Sequence, residues 1–283
     1  MSDLSYLDAV VLGVVEGLTE FLPVSSTGHL TVAEKMLGLR VDDPGVTAYT
    51  AIIQLGAIAA TFLYFWRDIV RLTLAWFAGL RDPGRRSHDY VLAWAVLVGS
   101  MPVGIVGFLG RKLVEGPLRS LWVVAVALVL WSAVMYLAET RHAKLSREHG
   151  ERGEQVVSIR DGLWMGLIQC FALVPGVSRS GATISAGLFR GIDRLTATRL
   201  SFFLAIPALT AAGLFEGASA DLSALGVPQM LLGVVIAFAV AYASIAWLLK
   251  FLATNTLTSF VLYRVLAGAA LAVALGAGWL AAR

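Results

Sequence analysis

Charge is scarce in this sequence. Only 14% of its 283 residues are Asp, Glu, Lys or Arg, and 58% are hydrophobic. A soluble domain carries about a quarter charged residues, so an ordinary water-soluble globule is excluded. Cysteine is scarcer still. The single Cys170 cannot close an intramolecular disulfide, and its plain reading is a small buried hydrophobe. The N-terminal stretch lacks a basic region leading to a small-residue cleavage site, so no cleaved signal peptide is expected. The net charge of +3 is small, and where the charges lie matters more.

Long apolar runs are abundant. Val46–Trp66, Tyr90–Leu109, Ser120–Ala138, Gly226–Leu249 and Leu257–Ala281 each approach the roughly 20 residues that cross a bilayer core. A sixth, Leu195–Phe215, reads as broken by Pro207. Spanning segments must satisfy their own backbone, so runs of this length predict helices. The fold class expected is an all-α polytopic membrane protein.

Asp8–Leu30 and Asp161–Thr183 are related at an offset of 153 residues. Asp8 meets Asp161, Gly13 meets Gly166, Glu16 meets Gln169 and Val24 meets Val177. Ser25, Thr27 and Gly28 meet Ser178, Ser180 and Gly181, while Pro23 and Pro175 slip by one. This reads as an internal duplication, with repeat 1 over about 1–139, a basic connector over about 140–160 and repeat 2 over about 161–283. In each copy an apolar run ends at a proline, a hydroxyl-rich turn follows, and a run too short to cross a membrane comes next (Leu30–Leu39; Ala182–Phe189). The simplest reading is a re-entrant helical hairpin in each repeat plus three transmembrane helices.

Loop charge tests that reading. If neither hairpin crosses, 67–89 and 140–160 share one side. Five basic residues lie in each: Arg67, Arg71, Arg81, Arg85 and Arg86; Arg141, Lys144, Arg147, Arg152 and Arg160. Arg190 and Arg194 join them. The other side has Arg111, Lys112 and Arg119, and a 217–228 loop with no basic residue. The asymmetry places the basic loops in the cytoplasm and both termini outside. Three spans per half is an odd number, so the halves are inverted and their hairpins enter from opposite faces.

Against this apolar background, "EGLTEFLPVSSTGHL" (16–30) is densely polar. Glu16 and Glu20 share a helix face. Burying each carboxylate in hydrocarbon costs roughly 2.5 kcal/mol or more. They read either as neutralised by a basic neighbour or as a site for a hard cation, Mg²⁺ or Ca²⁺. Ser25, Ser26 and Thr27 open the next helix, whose free N–H groups suit phosphate. Gly28 would let the backbone approach a ligand. Ser25 or Ser26 could equally serve as the helix cap. His29 stands one turn after Ser26 and suits nucleophile or acid–base work.

The second turn, "PGVSRSGAT" (175–183), has no acid. It offers Gly176, Ser178, Ser180, Thr183 and an arginine, Arg179, that reads as a phosphate clamp or as the partner of Glu16 or Glu20. Acids on one turn and a cation on the other fit phosphoryl transfer, where positioning and charge neutralisation dominate. Gln54, inside an apolar run, reads as a helix–helix hydrogen bonder or a site-facing residue.

These two elements together resemble the undecaprenyl-pyrophosphate phosphatases, bacterial membrane enzymes associated with bacitracin resistance. That family carries E-x-x-x-E leading into P-x-S-S-T-G-H, and P-G-x-S-R-S-x-x-T. Both are complete here, in order and in opposite halves; only 139–160 lies outside the resemblance. It implies hydrolysis of undecaprenyl diphosphate at the outer face of the bacterial cytoplasmic membrane with a divalent cation. The implied functional residues are Glu16, Glu20, Ser26, His29 and Arg179. Either Ser26 attacks with His29 as base, or His29 attacks directly; the position of a phosphate near the helix start favours Ser26. Partners implied are the polyprenyl diphosphate, membrane lipid and, as an open case, a second copy of the chain; nucleic acid is not expected. The rival expectation is a carrier or flippase for an anionic polyprenyl lipid.

Overall fold

The computed structural model describes residues 4–41, 43–115, 118, 120–219 and 226–282. Arg119 and residues 220–225 of the 217–228 loop lie outside them. The described residues form eleven α-helices and no sheet. They are α1 (Tyr6–Thr19), α2 (Ser26–Met36), α3 (Pro44–Tyr64), α4 (Trp66–Arg81), α5 (His88–Glu115) and α6 (Leu121–His149). Then come α7 (Ile159–Gln169), α8 (Arg179–Phe189), α9 (Arg194–Ser219), α10 (Val227–Leu252) and α11 (Thr258–Gly276).

Six helices are long and apolar enough to cross a membrane, within α3, α5, α6, α9, α10 and α11. They coincide with the six apolar runs. α1, α2, α7 and α8 are 11 to 14 residues long, shorter than a span requires.

Two expectations need correction. Pro207 does not break its helix: α9 runs through it. Spanning helices tolerate proline where neighbours satisfy the backbone, and Ser100 of α5 donates to the Leu204 carbonyl at 3.1 Å in the turn before it. The basic stretches are not simple loops either. α4 occupies most of 67–89, and α6 continues to His149. Arg71 explains how α4 is held, since it bridges Asp68, Asp89 and Glu154.

Local geometry recurs at the 153-residue offset. α1 and α7 both open on a capping box, Ser5 with Asp8 and Ser158 with Asp161, each satisfying two helix-end N–H groups. α2 and α8 both close on a left-handed glycine, Gly38 and Gly191, the usual helix C-terminal device. Among the described residues only two non-glycines have positive φ, Ser25 (80°) and Ser178 (76°). Gly13 packs on the Gly233 carbonyl of α10, and Gly166 packs on the Gly99 carbonyl of α5. A methyl group at either glycine would collide with that carbonyl.

Candidate active site

The first turn, residues 20–25, follows α1 and leads into α2. The second, residues 170–178, follows α7 and leads into α8. The two turns touch. Gly176 N–H donates to Ser25 Oγ at 3.1 Å, and Ser180 Oγ donates to the Leu22 carbonyl at 3.0 Å. α2 and α8 therefore begin beside each other, and their N-terminal partial positive charges add.

Glu20 is the hub. Its Oε2 accepts from Ser26 Oγ at 2.7 Å, and its Oε1 pairs with Arg179 Nη2 at 3.3 Å. Arg179 also donates to the Glu20 carbonyl (3.4 Å) and the Ser201 carbonyl (3.2 Å), and lies over the Phe21 ring. Both side chains are nearly out of solvent. Among the described residues two buried atoms here have no hydrogen-bond partner: Arg179 Nε, a donor, and Glu16 Oε1, an acceptor. Buried polar groups are ordinarily hydrogen-bonded, so this cluster has unused capacity of both signs.

The other expected residues divide. Ser25 sits at the α2 cap position but makes no cap hydrogen bond; its hydroxyl reaches across to Gly176 instead. Ser178 does cap, accepting from Gly181 N–H at 3.2 Å. Thr183 Oγ1 bonds Ser201 Oγ at 2.6 Å and its own helix, tying α8 to α9. Thr27 is exposed. Gly28 faces Val124 Cγ1 of α6, where a Cβ would come within 2.7 Å, so helix packing accounts for it. Gly176 (φ 100°) presses on the Val124 backbone from the second turn. Gln54 is half-buried, and no hydrogen bond joins it to either turn among the described residues.

His29 bonds the Ser25 carbonyl through Nδ1 (2.7 Å) and Tyr263 Oη through Nε2 (2.6 Å). Among the described residues no hydrogen bond joins it to Ser26.

Two residues of α11 escaped the sequence reading. Tyr263 is one. Arg264 is the other: fully buried, it donates to the Pro23 carbonyl (3.2 Å) and the Gly176 carbonyl (2.8 Å), and to Ser132 Oγ and the Leu128 carbonyl of α6. It ties both turns to the bundle. The signal was available, because an arginine inside a spanning segment is rare and by default marks a site.

A groove of about 430 Å³ runs beside the second turn. Trp122, Val126, Leu130 and Trp131 of α6 form one wall, and Phe171, Val174 and Val177 the other. Val174 and Val177 flank Pro175 and Gly176, the latter bonded to Ser25.

The family model described as "Bacitracin resistance protein BacA" matches residues 9–270. Undecaprenyl-diphosphatase 3 of Frankia casuarinae is 53% identical over 270 residues, covering 94% of this chain and 95% of that one. Undecaprenyl-diphosphatase of Cutibacterium acnes is 52% identical, with the same coverage. That of a Mycobacterium species is 46% identical over 99% of this chain and 100% of its own.

Proposed function

We propose, from the premise that this chain belongs to the BacA family of bacitracin resistance proteins, that its reaction runs through Ser26 where the two turns meet. The reaction is hydrolysis of undecaprenyl diphosphate to undecaprenyl phosphate and inorganic phosphate, which recycles the lipid carrier of cell-wall synthesis. One observation carries the site assignment: the buried, unpartnered Arg179 Nε and Glu16 Oε1 in the cluster built on the Ser26–Glu20 hydrogen bond.

Arg179 and the helix N-termini hold the diphosphate. Ser26 Oγ attacks the terminal phosphorus while its proton passes to Glu20, the group it already contacts. The bond from that phosphorus to the bridging oxygen breaks, and undecaprenyl phosphate leaves with the electron pair. Water then attacks the phosphoserine and gives a proton to His29 Nε2. The phosphorus–Oγ bond breaks, Glu20 returns its proton to Ser26, and His29 releases its own to the departing phosphate. Thr27, exposed at the start of α2, lines the approach, while Ser25, Ser178 and Ser180 hold the two turns in shape behind it.

Glu16 and Glu20 would hold the divalent cation, Mg²⁺ or Ca²⁺. The orphan Glu16 Oε1 suits it. The remaining oxygen ligands would come from phosphate and water, since no three His, Cys, Asp or Glu side chains cluster among the described residues. Such an ion, when bound, neutralises charge on the transferring group.

The prenyl chain takes the groove along α6. It starts at the second turn and follows α6 from Trp122 to Trp131, about 14 Å of helix.

The architecture proposed is a pair of inverted repeats, each a re-entrant hairpin plus three spans, at the boundaries given by the sequence. Support comes from the matched capping boxes, left-handed glycines and positive-φ serines. The orientation proposed has 67–89 and 140–160 in the cytoplasm, both termini outside and the site open to the outer face; the basic residues of those two segments support it.

Phosphate release by purified protein in detergent, with Mg²⁺ or Ca²⁺, tests the site. Ser26→Ala should lose release; a wild-type rate would overturn the assignment.

A further inference from the structure

The seam between α2 and α11 holds a contact that the reaction scheme leaves unused. His29 Nδ1 lies 2.7 Å from the Ser25 carbonyl. A carbonyl only accepts, so Nδ1 carries the hydrogen. In neutral imidazole the lone pair is then on Nε2, and Tyr263 Oη, 2.6 Å away, is its donor. The two rings also stack, with centroids 5.7 Å apart and planes within 14°. The ring is thus fixed at both nitrogens and on one face. One anchor is the backbone of its own turn, and the other is a helix 234 residues further along the chain.

Tyr263 does not owe its position to His29 alone. Its neighbour Arg264 is buried between the turns and α6. The dipeptide therefore applies two constraints from one point on α11: Arg264 sets where the turns sit, and Tyr263 sets how His29 faces.

We propose that Tyr263 is a positioning residue for the reaction. It holds His29 in the tautomer with hydrogen on Nδ1, and it keeps Nε2 aimed and free of stray water until the phosphoserine has formed. The Tyr263 O–H fills the Nε2 lone pair in the resting site, and it turns aside when the attacking water delivers its proton there. This rests on the reading of His29 as the base of the second step.

The test is Tyr263→Phe, which keeps the stacked ring and removes only the hydroxyl. Expected are an unchanged melting temperature, an unchanged KM and a kcat about tenfold lower. Phosphoserine should accumulate during turnover, because the second step is the one slowed. In a His29→Ala background the same change should cost nothing further, since Tyr263 acts through His29. A Tyr263→Phe enzyme with wild-type kcat overturns the proposal. So does one in which KM rises instead, or in which the loss persists without His29. His29→Ala at the wild-type rate overturns the base assignment and this proposal together, whereas a slow His29→Ala beside a normal Tyr263→Phe overturns only the pairing.

Discussion

Arg264 holds the Gly176 carbonyl at 2.8 Å, and the same guanidinium holds Pro23 of the other turn at 3.2 Å. One buried side chain therefore spans the joint between the two turns. Arg264→Met should leave both carbonyls without their donor, at about 1–3 kcal/mol each. A displacement of order 1 Å at a reacting centre costs about a hundredfold. The expected result is a lower melting temperature in detergent together with kcat/KM down about a hundredfold. Arg264→Lys, which cannot reach four acceptors at once, should recover little of it. Full activity in either variant contradicts the tie.

Ser26 and Glu20 form the shortest link in the cluster. Brief incubation with substrate labelled at the terminal phosphorus should place label on Ser26, mapped by mass spectrometry. Glu20→Gln should slow labelling by about 10²–10⁴-fold. Label on His29 would show that the histidine attacks directly and that the serine is a binding group.

The α6 groove predicts chain-length selectivity. Val126 lines it and is 52% exposed. Val126→Trp should obstruct the groove and weaken binding of a C55 diphosphate by about 1.4 kcal/mol, or tenfold in KM. A C15 diphosphate, which reaches less far, should be affected far less. Equal effects on both substrates would remove the groove from the binding site.

Asp161 predicts an acid-sensitive fold. Burial opposes its charge, but hydrogen bonds from Arg152, Ser158 and Arg190 outweigh burial and hold its carboxyl well below the usual carboxylate range. A depressed carboxyl stabilises the fold fully above the unfolded value of about 4, and that contribution fades as pH falls below it. Melting temperature should therefore decline below about pH 4. Asp161→Asn should melt lower at neutral pH and show a flatter acid limb. An identical pH dependence in both proteins refutes the linkage.

How much of this was legible beforehand depended on the kind of signal. Apolar runs gave the six membrane-crossing helices because length and hydropathy act locally. Glu20, Ser26 and Arg179 could be named because carboxylate, hydroxyl and guanidinium are conspicuous in an apolar setting. Their mutual contact could only be inferred from the repeat. Pro207 misled, because a spanning helix can run through a proline, as α9 does. Gly28 looked like an opening for a ligand, while the neighbour that needs the space is Val124. Tyr263 and Arg264 were readable as anomalies in a span, but nothing local says that they reach His29 and Pro23. α4 was hidden within a run of arginines, since its anchors Asp89 and Glu154 lie outside the helix.

The anchoring of both turns by α11 also sets an order in time. A chain emerges from the ribosome N-terminus first. Glu20, Ser26 and His29 are made near the start, yet the residues that hold their turn in place, Tyr263 and Arg264, belong to the last helix described. Until that helix arrives in the bilayer, the reactive residues exist without the frame that arranges them. On the proposed assignment the active centre is completed late in biosynthesis, and a chain stalled before α11 would carry Glu20, Ser26 and His29 without the helix that anchors their turn.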